Sequence, residues 1–185
     1  MYALQMWGEF GGSGVTIGLV IAIMIFGKRE DNKAIATLSL VPGLFNINET
    51  VTFGIPMVLN PILGIPFVVT PLITIIIGYV LTVIGFCPVA CLTVPWTTPP
   101  IVFGFLACGA NVMGAVTQAI LVVVSTVIYV PFLISYENIK TNKLQKLNID
   151  KLNKIMNKGG IPRPLFFKKI FNEYELTLLK KIDIY

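Results

Sequence analysis

No histidine occurs in this 185-residue chain, and residues 53–136 contain no Asp, Glu, Lys or Arg. The first absence removes the side chain most used for proton transfer and metal ligation near neutral pH. The second removes the polar face that a helix of a water-soluble domain needs. Only 12% of the residues are charged against 55% hydrophobic, and the mean hydropathy is +0.82, outside the range of soluble globular domains. Cysteine is also sparse: Cys87, Cys91 and Cys108 all lie in apolar segments. Cys87 and Cys91 can share a helix face at i, i+4, but two thiols without a histidine do not complete a metal site. No metal or other cofactor is expected, and the cysteines read as small membrane-buried side chains. The start, MYALQMWGEF, has neither a basic n-region nor a small-residue cleavage site, so it does not read as a signal peptide. It reads as a chain that begins abruptly inside a membrane domain.

What charge there is divides unevenly. Three basic residues against five acidic ones leave residues 1–137 at −2, whereas eleven against four leave residues 138–185 at +7, together the net +5 of the chain. A basic tail directly after an apolar region is the positive-inside signal and places the C-terminus in the cytoplasm; a nucleic-acid-binding patch is the less fitting reading. The chain therefore divides into a membrane part, 1–137, and a basic cytoplasmic tail, 138–185. Residues 15–27 with the glycine-rich turn before them, residues 67–87 and residues 112–136 are each long enough to cross a hydrocarbon core. The charged turn KREDNK after the first span belongs on the cytoplasmic side. In the tail, leucines and isoleucines at 144, 147, 149, 152 and 155 with lysines between them predict an amphipathic helix over 140–156.

Residues 34–66 and 88–111 do not read as plain spans. Each is an apolar arm, a polar tip and a second apolar arm, and Pro56, Pro61 and Pro66 in the first, with Pro95, Pro99 and Pro100 in the second, are expected to break any long helix. With KREDNK and the tail on one side and two full spans between them, each hairpin must return to its side of entry. The first would enter from the cytoplasm and the second from outside, so that their tips, FNINE and PWTTP, approach one another. Irregular backbone at membrane depth is tolerated only against protein or a wet cavity, which makes opposed tips a place for a substrate.

The first tip carries Asn46, Asn48 and Glu49, with Thr50 and Thr52 behind them. A carboxylate facing lipid costs on the order of 3 kcal/mol, so its default role is functional; a structural ion pair of Glu49 with Arg29 is the competing reading. A carboxylate with amides and hydroxyls around it supplies the donors and acceptors that a polyhydroxylated ligand requires. Trp96 at the second tip offers an aromatic face for a pyranose ring, with Thr97 and Thr98 adding hydroxyls; an interfacial belt tryptophan is the alternative. Gly11, Gly12, Ser13 and Gly14 form either a phosphate nest or a closely packed turn.

The blocks GGSGVTIGLVIA (11–22), LVPGLFNINETVTFGIPMVLNPILGIPFVVTPL (40–72), VPWTTPPIVFGFLACG (94–109) and VIYVPFLISYE (127–137) together resemble part of a known family. It is the C-terminal portion of the enzyme IIC membrane component of bacterial phosphoenolpyruvate-dependent sugar phosphotransferase systems, of the lactose/cellobiose/diacetylchitobiose type. The resemblance covers about residues 8–137. It implies an all-α polytopic membrane fold with about three spans and two re-entrant hairpins. It also implies a bacterial cell-membrane permease that binds a β-linked disaccharide and presents its 6-hydroxyl to a phosphocysteine on a cytoplasmic IIB phosphoprotein. On that resemblance Glu49 is the catalytic carboxylate that holds the hydroxyl, Asn48 is its neighbouring sugar ligand, and Trp96 stacks on the sugar; Asn46, Thr97 and Thr98 are expected substrate-binding residues from the polar character of the two tips. Thr50 departs from the proline that the family usually carries after this glutamate. The family's N-terminal half and its sugar-site histidine have no counterpart, so one wall of the cavity is expected to come from a missing N-terminal IIC half or a homodimer partner. An inactive remnant, or a membrane scaffold that associates with an intact permease, is the rival expectation.

Overall fold

The computed structural model describes residues 6–57 and 59–159; residues 1–5, Val58 and the tail beyond 159, including Pro162 and Pro164, lie outside the described residues. A short helical segment, Met6–Val15, is followed by α1 (Ile17–Phe26), α2 (Glu30–Leu44), α3 (Glu49–Gly54), α4 (Pro61–Val83), α5 (Pro100–Ala107) and α6 (Val112–Gly159). Among the described residues there is no strand. They divide into two compact units, broken between Ile139 and Lys140. Every side-chain contact described below lies in the first.

α1, IGLVIAIMIF, is apolar all round; Ile17, Leu19, Val20, Ala22 and Ile23 are buried, while Met24, Ile25 and Phe26 in its last turn are exposed. It adjoins two hydrophobic clusters. One gathers Leu19, Ile23, Val51, Ile55, Leu63 and Tyr129; the other gathers Met6, Trp7, Phe10, Ile17, Cys108 and Leu121. α6 passes close against α1, since a Cβ at Gly18 would overlap the Ser125 side chain. Tyr129, fully buried, donates its hydroxyl to the Gly14 carbonyl at 2.6 Å. Glu137, 4% exposed, accepts the Lys28 backbone N–H and the Asn32 Nδ2, both at 2.8 Å, and so fixes the corner between α1 and α2.

The span expected at 15–27 with its preceding turn is a bent pair: Met6–Val15 and Ile17–Phe26 meet at 57°. The bend follows from the glycines, because Gly11, Gly12 and Gly14 hold φ of 73°, 87° and 76°, a region that breaks a right-handed helix. The predicted proline breaks are corrected at two positions. Pro61 occupies the first turn of α4, where its missing N–H leaves no bond unmade, and Asn60 caps the helix by accepting the Ile62 N–H at 3.0 Å. Pro66 lies inside the same helix, as does Pro71, whose carbonyl takes the Thr74 hydroxyl at 3.1 Å. The span predicted over 67–87 therefore runs from Pro61 to Val83. The span predicted over 112–136 continues to Gly159, because no glycine or proline follows Pro131 until that residue. The amphipathic helix expected at 140–156 is this continuation, with Leu144, Leu147 and Ile149 exposed.

On α2 and α4 the outward faces are apolar and the inward faces mostly small or polar, the reverse of a soluble helix. α4 turns Leu63, Pro66, Thr70, Thr74 and Gly78 inward while Leu72, Ile76, Tyr79 and Val83 are exposed. α2 buries Asn32, Ala36, Ser39 and Gly43, one small-residue stripe at helical spacing, and exposes Leu38 and Val41. Apolar residues facing outward and small or polar residues facing inward fit lipid as the solvent. α4 and the first 40 residues of α6 are each long and apolar enough to cross a membrane, and the bent pair has the combined length and apolar composition of one more broken span or of a re-entrant loop. The chain is an all-α polytopic membrane protein. α2 and α3 fold back on each other, a Cβ at Gly54 falling 2.8 Å from Ile35, to form the first hairpin. The irregular stretch 88–99 and α5 form the second.

Tyr129→Phe leaves the buried Gly14 carbonyl without its donor. It is expected to destabilise the detergent-purified protein by about 1–3 kcal/mol, read as a lowered thermal midpoint with the helical content unchanged. An unaltered midpoint contradicts this role.

Candidate functional site

The tip of the first hairpin is built by the end of α2. Pro42 and Gly43 carbonyls accept the Phe45, Asn46 and Ile47 amides at 2.9, 3.2 and 3.0 Å, and Asn46 takes φ 63°, a left-handed conformation that asparagine tolerates. This turn aims the Asn46 amide at two other segments. Its Oδ1 accepts the Gly11 N–H at 2.5 Å, and its Nδ2 donates to the Trp96 carbonyl and, at 3.1 Å, to the Thr98 carbonyl. Asn48 donates to the Ser13 carbonyl at 2.7 Å. The two tips and the glycine turn therefore meet, held by side chain to backbone bonds.

The glycine turn is the closely packed kind. A Cβ at Gly12 would stand 2.6 Å from Asn48 Cγ, and two of its amides are taken, Gly11 by Asn46 and Gly12 by the Glu9 carbonyl at 3.1 Å. Those N–H groups are not offered to a phosphate.

At this junction lies a cavity of about 260 Å³, lined by Glu9, Asn48, Glu49, Trp96 and Gln118 among others, with Phe10 and Phe103 as further aromatic walls. Asn46 also lines it, but all the groups of its amide that bond protein are committed to backbone. Glu49 begins α3, is exposed, and has no protein hydrogen bond or ion pair; Arg29 pairs with Asp31 at 2.8 Å instead. The carboxylate is therefore open to a ligand. Trp96 is 66% exposed, its ring left uncovered while its carbonyl is held. Thr97 and Thr98 belong to the same turn, closed by the Thr98 N–H on the Pro95 carbonyl at 3.0 Å, but their side chains do not line the cavity. Two residues outside the sequence expectations do line it. Glu9 adds a second carboxylate, and Gln118, fully buried in α6, donates Nε2 to the Met6 carbonyl at 3.1 Å and leaves its Oε1 without a partner. The signal for Gln118 was an amide set within an otherwise apolar span.

The lining holds two carboxylates and no Lys or Arg. It repels anions and offers acceptors, beside aromatic surface, to a neutral ligand rich in O–H donors. The volume lies just below the roughly 300–1,000 Å³ of small-molecule sites, enough for part of a disaccharide.

Comparison with known proteins places these features in a family. Residues 6–71 match the family described as phosphotransferase system, EIIC. The chain is 48% identical over 141 residues to the cellobiose-specific EIIC component of Lactococcus lactis, covering 76% of this chain and 28% of that protein. It is 40% identical over 146 residues to the lichenan permease IIC component of Bacillus subtilis, covering 78% and 32% respectively. The crystal structure of the transporter ChbC, the IIC component from the N,N'-diacetylchitobiose-specific phosphotransferase system, superposes with a TM-score of 0.71 at 38% identity, over 76% of this chain and 33% of that one. The chain thus spans about a third of the length of the relatives it matches. It belongs to the enzyme IIC family of the sugar phosphotransferase system, of the lactose/cellobiose/diacetylchitobiose type.

Proposed function

We propose that this chain forms the sugar-holding part of a membrane permease that imports a β-linked disaccharide of the cellobiose, lactose or diacetylchitobiose type. The observation that carries the proposal is the uncommitted Glu49 carboxylate beside the uncovered Trp96 ring, in a cavity with no cation. The names of the relatives, cellobiose-specific, lichenan and diacetylchitobiose-specific, support the substrate class.

The chemistry follows from a hydroxyl held against that carboxylate. The partner is a cytoplasmic IIB protein carrying a phosphocysteine. The sugar 6-hydroxyl oxygen attacks phosphorus, the P–S bond breaks as the P–O bond forms, and the hydroxyl proton passes to Glu49. Phosphoryl transfer depends chiefly on positioning and charge, and a placed general base contributes about 10²–10⁴-fold. Asn48 retains an Oδ1 free of protein partners for a sugar hydroxyl, and Trp96 stacks on the ring. Glu49→Gln, in membranes containing IIB and the co-expressed N-terminal part of the cellobiose-specific relative, should lower sugar phosphorylation by about 10²–10⁴-fold with protein level unchanged. Phosphorylation at the unsubstituted rate would reduce Glu49 to a structural carboxylate.

The remaining wall is supplied by IIC segments outside these 185 residues or by a second copy of the chain. Sugar binding by the chain alone is expected to be negligible, and to rise, together with thermal stability, on co-expression with the N-terminal part of the cellobiose-specific relative. Binding of cellobiose by the monomeric chain at the same affinity with and without that part contradicts this.

The C-terminus lies in the cytoplasm of a bacterial cell. A reporter fused after Tyr185 should read cytoplasmic, and a cysteine placed at Lys33 should be labelled from that side alone. Labelling of Lys33→Cys from outside would invert the orientation of both hairpins.

A further inference from the structure

Glu9 is a carboxylate that the fold sets at the cavity and leaves unpaired. In the stretch Met6–Val15 only Glu9 and Ser13 are exposed, and both line the cavity. The backbone beneath Glu9 is fixed: its carbonyl accepts the Gly12 N–H at 3.1 Å, in the turn that Asn46 holds at Gly11. Its side chain has no hydrogen bond or ion pair among the described residues, and no Lys or Arg lines the cavity to balance its charge. A carboxylate in so apolar a segment is costly unless it serves the cavity that it borders.

That charge acquires a distinct effect once phosphoryl transfer has occurred. In the reaction proposed above, a neutral sugar becomes a phosphate monoester, which carries about −1.5 to −2 at pH 7, and the hydroxyl proton neutralises Glu49. Glu9 is then the ionised group that remains in the lining. A compact cavity of 260 Å³ is about 8 Å across, no more than the Debye length of roughly 8 Å at physiological ionic strength, so salt does not screen Glu9 fully from a charge held there.

We infer that Glu9 is a specificity-determining residue that clears the cavity: its negative charge admits the neutral disaccharide and expels the phosphorylated one. The inference rests on the sugar-binding function proposed above and adds to it the discrimination between substrate and product. A site separates two ligands by penalising one as well as by attracting the other. Here the two differ by one phosphoryl group, and like-charge repulsion falls on the product alone. The same repulsion keeps sugar phosphate already formed from refilling the cavity.

The experiment measures equilibrium binding of cellobiose, and of cellobiose phosphorylated at the 6-hydroxyl, to the chain co-expressed with the N-terminal part of the cellobiose-specific relative. The readout is the ratio of the two affinities, which a merely structural role would not move. The unsubstituted complex should bind the phosphorylated sugar at least tenfold more weakly than cellobiose. Glu9→Gln, nearly isosteric and uncharged, should narrow that gap by roughly tenfold, whereas Glu9→Asp, which keeps the charge, should preserve it. Glu9→Ala removes the same charge and carries the test where the glutamine variant does not accumulate. The inference is overturned if the unsubstituted complex binds both sugars alike, if the uncharged variants leave the ratio unchanged, or if Glu9→Asp narrows it as far as Glu9→Gln does. An unsubstituted complex that binds neither sugar overturns the sugar-binding function itself, a result distinct from binding without discrimination.

Discussion

The site depends on one primary amide. Asn46 joins three segments that are distant in sequence, the glycine turn through Gly11 and the second hairpin through Trp96 and Thr98, and it does so from a left-handed residue at the end of α2. These backbone groups lie beside the cavity, and the amide gives each of them a fixed protein partner where water would hold it loosely. The bonds are also mutually supporting: the Oδ1 contact fixes the sense of the amide, which in turn aims both Nδ2 hydrogens at carbonyls. Asn48 repeats the device on Ser13. With the amides holding the junction together, Glu49 and the Trp96 ring are free of protein partners and face the cavity.

Much of the architecture was legible because membrane solvation makes hydropathy informative. An 84-residue stretch without a formal charge leaves helix as the available backbone state in lipid, and the polar tips stood out against it. Their meeting followed from counting crossings, and the structure joins FNINE to PWTTP through Asn46. Helix boundaries were less legible, because proline has two meanings. Pro61 at a first turn is favourable and Pro66 within α4 is accommodated by packing, whereas composition alone treats both as breaks.

Within the site, residue type was legible and division of labour was not. Asn46 looks, in sequence, as much a ligand as Glu49 does; only the turn geometry shows that its groups are taken by backbone. The glycine turn likewise supported two readings until the collision awaiting any Cβ at Gly12 and the capture of the Gly11 amide selected close packing. Gln118 was passed over because a single amide in an apolar helix carries no local pattern; its meaning comes from Met6, 112 residues away in sequence, which anchors one end and leaves the other unpaired.

The second tip is gripped by its carbonyls, and carbonyls are common to every amino acid. Positions 96 and 98 are therefore under no obligation to the joint in their side chains, whereas position 46 admits almost no replacement with the same reach and polarity. Mutation can exchange the aromatic surface shown to a ligand without unfastening the hairpins. In this arrangement the hardware that locates a binding surface and the surface itself are encoded by different atoms of the same residues, so a lineage can retune what it recognises while inheriting where recognition happens.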